Sequence, residues 1–216
     1  MRRFFPRWAK LVLLCGMGLG ANLSAPLPAA ASILAKLSLS EMAGRADRAL
    51  LGTVESVRSR MLGDGGYIVT EVQIRCTSEL LGVPAGTVFT VTHLGGEVGE
   101  LGQKVFGEAS YKVGQEVLLI AEERGGAFYA VGMAQGAMHV ERDAKSGERR
   151  VHIELAGAEL QGASPGSAEP TANGANVETV MAQLQTLLAP RRAAGSRSGT
   201  AAPSGTASSP PSKGGK

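Results

Sequence analysis

Three histidines and two cysteines are the side chains in this 216-residue chain best suited to nucleophilic or metal chemistry. A cysteine nucleophile needs a base within hydrogen-bond reach and a third group to orient that base. Cys76 with His93 is the one pairing on offer. Cys76 closes a strand-like run, Ile74-Arg75-Cys76-Thr77, where a free thiol fits as a small buried apolar residue. If it were exposed instead, it would be the residue to bridge two chains. His139 and His152 face each other if the hairpin between them turns over 143–148, a register that also sets Glu141 against Arg150. A slip of one residue undoes that pairing. Metal sites need a fuller ligand cluster, so these two histidines read as solvated side chains on a ribbon. The chain has no His-Glu-x-x-His and no Gly-x-x-x-x-Gly-Lys. No catalytic residue, metal or cofactor is expected.

The carboxylates are more suggestive. Between Gly95 and Gly114 the sequence carries Glu97, Glu100 and Glu108, interleaved with Val98, Leu101, Val105 and Phe106, and shows no clear period. Long aperiodic connections in compact domains are uncommon and more often functional than short ones. Glu97, Glu100, Leu101, Phe106 and Glu108 form the candidate binding loop. The competing reading is a connection whose Val105 and Phe106 plug one end of the core.

A β-sheet must position that loop. Residues 50–57 begin apolar and then alternate, and 67–76 alternate with period two. Gly63-Asp64-Gly65-Gly66 between them is a turn signal, so the two segments form a long antiparallel hairpin. Leu80 to Gly86 makes the next corner, and 87–93 a third strand. Residues 116–121 are almost continuously apolar and read as a central strand; Gly125-Gly126 turns it into 127–131. Residues 137–141 and 149–154 form a last hairpin. Ser40 is the expected N-cap of a short helix over 41–48. Asn176 is the expected cap of an amphipathic helix ending before Pro190, with Val177, Val180, Met181, Leu184, Leu187 and Leu188 as its docking stripe. The pattern predicts a mainly β fold, a small antiparallel barrel with two flanking helices.

The ends are of another kind. Arg2, Arg3, Arg7 and Lys10 precede an apolar, Gly-rich stretch from Leu11 to Leu23, and Ala29-Ala30-Ala31 follows. Residues 1–31 read as an export signal cleaved after Ala31, with Arg2-Arg3-Phe4-Phe5 faintly like a twin-arginine signal. Residues 162–175 read as a linker and 190–216 as a disordered basic tail, both poor in large apolar side chains. Nine of the 22 basic residues lie in 1–31 and 190–216, leaving 13 against all 19 acidic ones in 32–189. An acidic domain argues against nucleic acid as partner. No segment after the signal is expected to cross a membrane. Cys15 falls within the signal, so the exported chain keeps one cysteine and forms no internal disulfide.

The runs Ala46-Asp47-Arg48-Ala49-Leu50-Leu51-Gly52-Thr53-Val54, Tyr67 to Val72, Glu79-Leu80-Leu81-Gly82, Gly95-Gly96-Glu97, Tyr111 to Leu119 and Gly132 to Gly136 resemble a group of uncharacterised secreted bacterial β-barrel proteins. Their order is similar to the netrin-like module of tissue inhibitors of metalloproteinases. Over about 45–155 the resemblance implies an OB-type barrel with a packing helix near its end. Those inhibitors are disulfide-stapled and chelate the protease zinc through an N-terminal cysteine. The expected terminus here is Ser32, so that mechanism does not carry over. The expectation is an exported, non-catalytic binding module, in the periplasm or outside the cell, acting on a secreted protease or envelope protein. The alternatives are a structural component of the envelope or matrix and, as a minor reading, a hydrolase.

Overall fold

The computed structural model describes residues 33–63, 66–163 and 172–198. The expected signal, the middle of the expected linker and the tail beyond 198 lie outside them. In chain order the elements are β1 (Ile33–Lys36), α1 (Leu39–Arg45), β2 (Arg48–Leu62), β3 (Tyr67–Leu81) and β4 (Val88–Leu94). There follow β5 (Gly96–Val98), β6 (Leu101–Gln103), β7 (Glu116–Arg124), β8 (Ala127–Ala130) and β9 (Ala137–Arg142). The last are β10 (Arg149–His152), β11 (Glu159–Ala163) and α2 (Val177–Ser198).

The β2–β3 hairpin organises the sheet. Its ladder runs from Ala49 opposite Leu81 to Leu62 opposite Tyr67, with irregularities at Ala49/Leu50, Leu51/Gly52 and Val54/Ser56. Such bulges add twist and curl a sheet. Gly52 sits at one of them, where a Cβ would come 2.5 Å from the Arg75 carbonyl oxygen. Only glycine allows the two backbones to approach so closely. β4 pairs with β3, and β7 pairs with the start of β2. The outer edge of β7 is shared: Glu116–Leu119 pair with β9, and Ala121–Arg124 with β8.

β7 is apolar on both faces because both faces are covered. Val117, Leu119 and Ala121 join Leu50, Val72 and Ile74 in one buried cluster inside the curved sheet. Leu118 and Ile120 join Met42, Leu184 and Leu188 in a second, beneath the two helices. Val177, Val180, Leu184 and Leu188 of the expected stripe are buried against the domain and Met181 is half-buried, whereas Leu187 is exposed.

Several expectations need correction. The sheet does not close into a barrel. No ladder joins β4 to β8; the rings of Phe89 and Phe128, 5.0 Å apart, span that gap instead. The cap of α1 is Ser38, not Ser40: Ser38 Oγ accepts from the Glu41 N–H while Glu41 Oε2 accepts from the Ser38 N–H. The helix stops at Arg45 because Arg48 already pairs with Ala121. α2 is capped by Asn176 as expected, yet it runs through Pro190 to Ser198. Proline forfeits one helical hydrogen bond there. The Ala- and Arg-rich turns beyond it favour helix, and Arg191 Nη1 donates to the Ala46 carbonyl.

The linker is tied down at both described ends. β11 reaches Ala163 and pairs in parallel with β1, while Asn173 Oδ1 accepts from the Ile153 N–H and the Gly174 N–H donates to Val151 O. Among the described residues no helix is long and apolar enough to cross a membrane.

Candidate functional site

The 95–114 segment contributes to two grooves of the domain. It leaves β4 at Gly95, whose φ of +90° suits glycine. Thr70 Oγ1 donates to the Gly95 carbonyl at 2.7 Å, and the Gly95 N–H donates to Ile68 O. Where the sequence showed no period, the chain makes a miniature hairpin, β5–β6, folded against β2 and β3. Gln103 Oε1 accepts from the Ile68 N–H at 2.7 Å and pins the hairpin. Space for the close approach comes from Gly96, whose Cβ would lie within 2.4 Å of both Ser59 Oγ and Thr70 Oγ1.

Between this hairpin and residues 104–111 lies a groove of about 470 Å³, lined on its polar side by Ser59, Thr70, His93, Glu97, Glu108 and Tyr111. A second groove of about 390 Å³ shares Leu94 and Glu108 with the first and continues to Arg124, Tyr129 and Met133. Glu108 therefore borders both. Among the described residues, two non-glycines have positive φ: Met133 at 62° and Ala156 at 48°. Each lines one of these grooves. Such backbone costs of order 1–3 kcal/mol and tends to collect at ligand sites.

Glu108, His93 and Tyr111 are poorly solvated here. Burial pushes the Glu108 carboxyl up, against hydrogen bonds from the N–H groups of Leu94 and Ala109. Burial pushes the His93 imidazole down, opposed by its contact with Leu94 O. Burial, with Glu108 adding to it, drives the Tyr111 phenol well above its usual range. The Tyr111 hydroxyl has no hydrogen-bond partner among the described residues. The Tyr111 ring lies 5.6 Å from that of His93 and 6.0 Å, edge-on, from that of His139. A file of three polar aromatics thus leads from the groove into the sheet.

Of the candidate loop residues, Glu97 and Glu108 come together in the groove. Glu100 and Leu101 sit at the exposed turn of β5–β6, Leu101 being 58% exposed. Phe106 is 45% exposed, lies over Gly157 and carries Lys104 Nζ 5.3 Å from its ring centre. The core-plug reading therefore fails for Phe106, while Val105 is half-buried.

Cys76 is buried, and its Sγ donates to Val83 O at 3.2 Å. Burial and then Glu79 push its thiol up. His93 pairs with Thr70, six positions from Cys76 along β3; that is about 20 Å of strand, too far for a dyad. His139 does stand opposite His152, and Glu141 opposite Arg150, as the turn implied. The solvated reading of the pair is half wrong. His152 is exposed, but His139 is 1% exposed, with neither ring nitrogen partnered among the described residues. No group of three or more metal-ligating side chains occurs among the described residues. Reasoning from sequence missed Tyr111, Met133 and the groove role of His93. The one signal for Tyr111 was an aromatic with a polar tip in a segment otherwise taken for connection.

The buried histidines set a pH dependence. Burial lowers the folded pKa of His139 and His93 below the ordinary 6.5, with Glu154 and Glu141 opposing and His152 and Lys112 reinforcing the effect at His139. Below pH 6.5 the unfolded chain then binds more protons, so stability falls as pH falls, by at most about 1.4 kcal/mol per pH unit for each linked proton. The raised Glu108 acts oppositely, losing stability as pH rises from 4.5 towards its folded pKa. Urea midpoints should drop between pH 7 and pH 5.5, and His139→Leu should flatten the slope. An unchanged slope in that variant would remove His139 from the account.

No family model matches the chain, and neither a curated protein nor a solved structure matches it.

Proposed function

We propose that this chain is an exported, non-catalytic binding module of OB-like, netrin-like form that seats part of a secreted protease or envelope protein in the Glu108 grooves. The strand path supports the form. β2, β3 and β4 follow in order, and β7 returns to β2 carrying β8 on its other edge, the five strands expected of a partly open Greek-key barrel. The observation that carries the binding role is the site's construction. One long connection supplies exposed Leu101 and Phe106 beside two grooves, with strained backbone at Met133 and Ala156 lining them. The hydroxyls of Ser59 and Thr70 are bonded to each other, 2.8 Å apart, and Thr70 to Gly95 O, which favours a scaffold role for them over a nucleophilic one.

The test is titration of the exported chain against a panel of secreted proteases, following residual activity and complex formation. One target should bind and lose activity. Leu101→Ser with Phe106→Ser should weaken that complex at least tenfold, as removal of apolar contacts at an interface centre does. Unchanged activity across the panel, or a complex indifferent to the double variant, would defeat the protease reading.

A further inference from the structure

We infer that a separate groove, between the start of β2 and the end of α2, is a binding site for a phosphate-type oxyanion held by Arg48, Arg191 and Arg192. This groove, of about 540 Å³, is lined by those three arginines together with Asp47, Glu79 and Gly82. It exists because α2 continues past Pro190 and lays residues 191–194 beside the β2–β3 end of the sheet.

Two guanidiniums are held in place by consecutive main-chain carbonyls. Arg191 Nη1 donates to Ala46 O, and Arg48 Nη1 donates to Asp47 O at 2.8 Å. Arg48 is braced further, with its Cζ 5.3 Å from the centre of the Phe128 ring. Its stem crosses Gly82, where a Cβ would come 3.2 Å from Arg48 Cδ. A guanidinium has five N–H donors in a fixed fork, so each keeps several donors after these bonds. None of the three arginines makes an ion pair among the described residues, although Arg45, Arg60, Arg75, Arg124, Arg149 and Arg150 all do.

The groove's carboxylates do not neutralise it. Asp47 Oδ2 already accepts from the Glu123 N–H at 2.9 Å. That bond turns Asp47 aside but leaves it charged; with Glu79 the groove holds two carboxylates against three guanidiniums and stays net positive. Positioned guanidinium forks with spare donors match the bidentate geometry of an oxyanion such as phosphate. Free phosphate and a phosphate-bearing lipid headgroup present that same chemistry.

The experiment is calorimetric titration of the full chain with inorganic phosphate at constant ionic strength. Saturable binding is expected. Arg48→Gln and Arg191→Gln should each weaken it about tenfold, the scale of one charge-assisted hydrogen-bonded contact. Glu79→Gln should tighten it several-fold, a gain that a purely structural role for these residues would not produce. If Arg48→Gln fails to fold, the Arg191→Gln and Arg192→Gln pair on the exposed helix end serves in its place.

Retention on phosphatidylglycerol vesicles but not phosphatidylcholine vesicles, competed by phosphate, would identify a headgroup as the source. Phosphate binding without vesicle retention would identify the free ion. Absence of saturation up to tens of millimolar phosphate, or affinities equal in wild type and variants, would overturn the site.

Discussion

Gly136→Ala is expected to destabilise the domain by about 3 kcal/mol or more, enough to deplete the folded form of a marginally stable chain. The position closes the short 3-10 turn Met133–Gly136 between β8 and β9. A Cβ there would lie 2.6 Å from Val131 O, 2.7 Å from Ile120 O and 2.7 Å from Val131 N. All three atoms are backbone, and the Val131 N–H donates to Ile120 O in the same spot, so none can give way without breaking a central hydrogen bond. The comparison is Gly125→Ala in the β7–β8 turn, where φ is +59° but nothing lies within 4 Å of the new methyl. That change should cost only about 1 kcal/mol, the price of a left-handed alanine. Urea unfolding of both variants checks the claim. Equal midpoints would mean that the turn moves freely away from β7.

Leu184→Asp should have an effect of similar size by another route. Leu184 is fully buried between α2 and the helix-side face of the sheet, in the cluster that holds Met42, Leu118 and Ile120. A carboxylate there loses its water and gains no partner, a penalty of several kcal/mol that is relieved only if the helix lifts off. The thermal midpoint should fall by about 10 °C, on the scale of a few kcal/mol for a domain of this length. Arg191 would leave the Ala46 carbonyl with the helix, so the phosphate response should disappear too. Retained phosphate binding in a Leu184→Asp chain that has lost helical dichroism would separate the arginine groove from α2.

The sheet was legible from the chain alone because its signals are local. Alternation over 67–76, the Gly63–Gly66 turn and the apolar run 116–121 each state their own conformation, and β2, β3, β7 and the last hairpin follow from them. The pairing of His139 with His152 was legible for the same reason, since turn length fixes register. What failed depends on distant partners. The β5–β6 hairpin is pinned by Gln103 reaching Ile68, a contact across 35 positions that no period announces.

β1 and β11 are separated by more than 120 residues and pair in parallel, which local pattern cannot reveal. The run-through at Pro190 depends on a docking surface formed by Ala46. His139 looked like a surface residue because alternation places it on a face, and which face α2 and the 104–111 segment cover is a tertiary fact. The site was half legible. Glu97 and Glu108 were named from loop composition, whereas Tyr111 and Met133 owe their place to the closure of that loop over β4 and β8.

The missing ladder between β4 and β8 gives the shell a preferred line of failure. Held by side-chain packing alone, the tilted rings of Phe89 and Phe128 among it, where every neighbouring pair is laced by amides, it should open lengthwise, like a split cane, before either hairpin frays. Outward-pointing amides of β4 would then exchange with deuterium sooner than those of β2 or β7. A protein prised apart along that line would offer an incoming strand two ready-made margins to join.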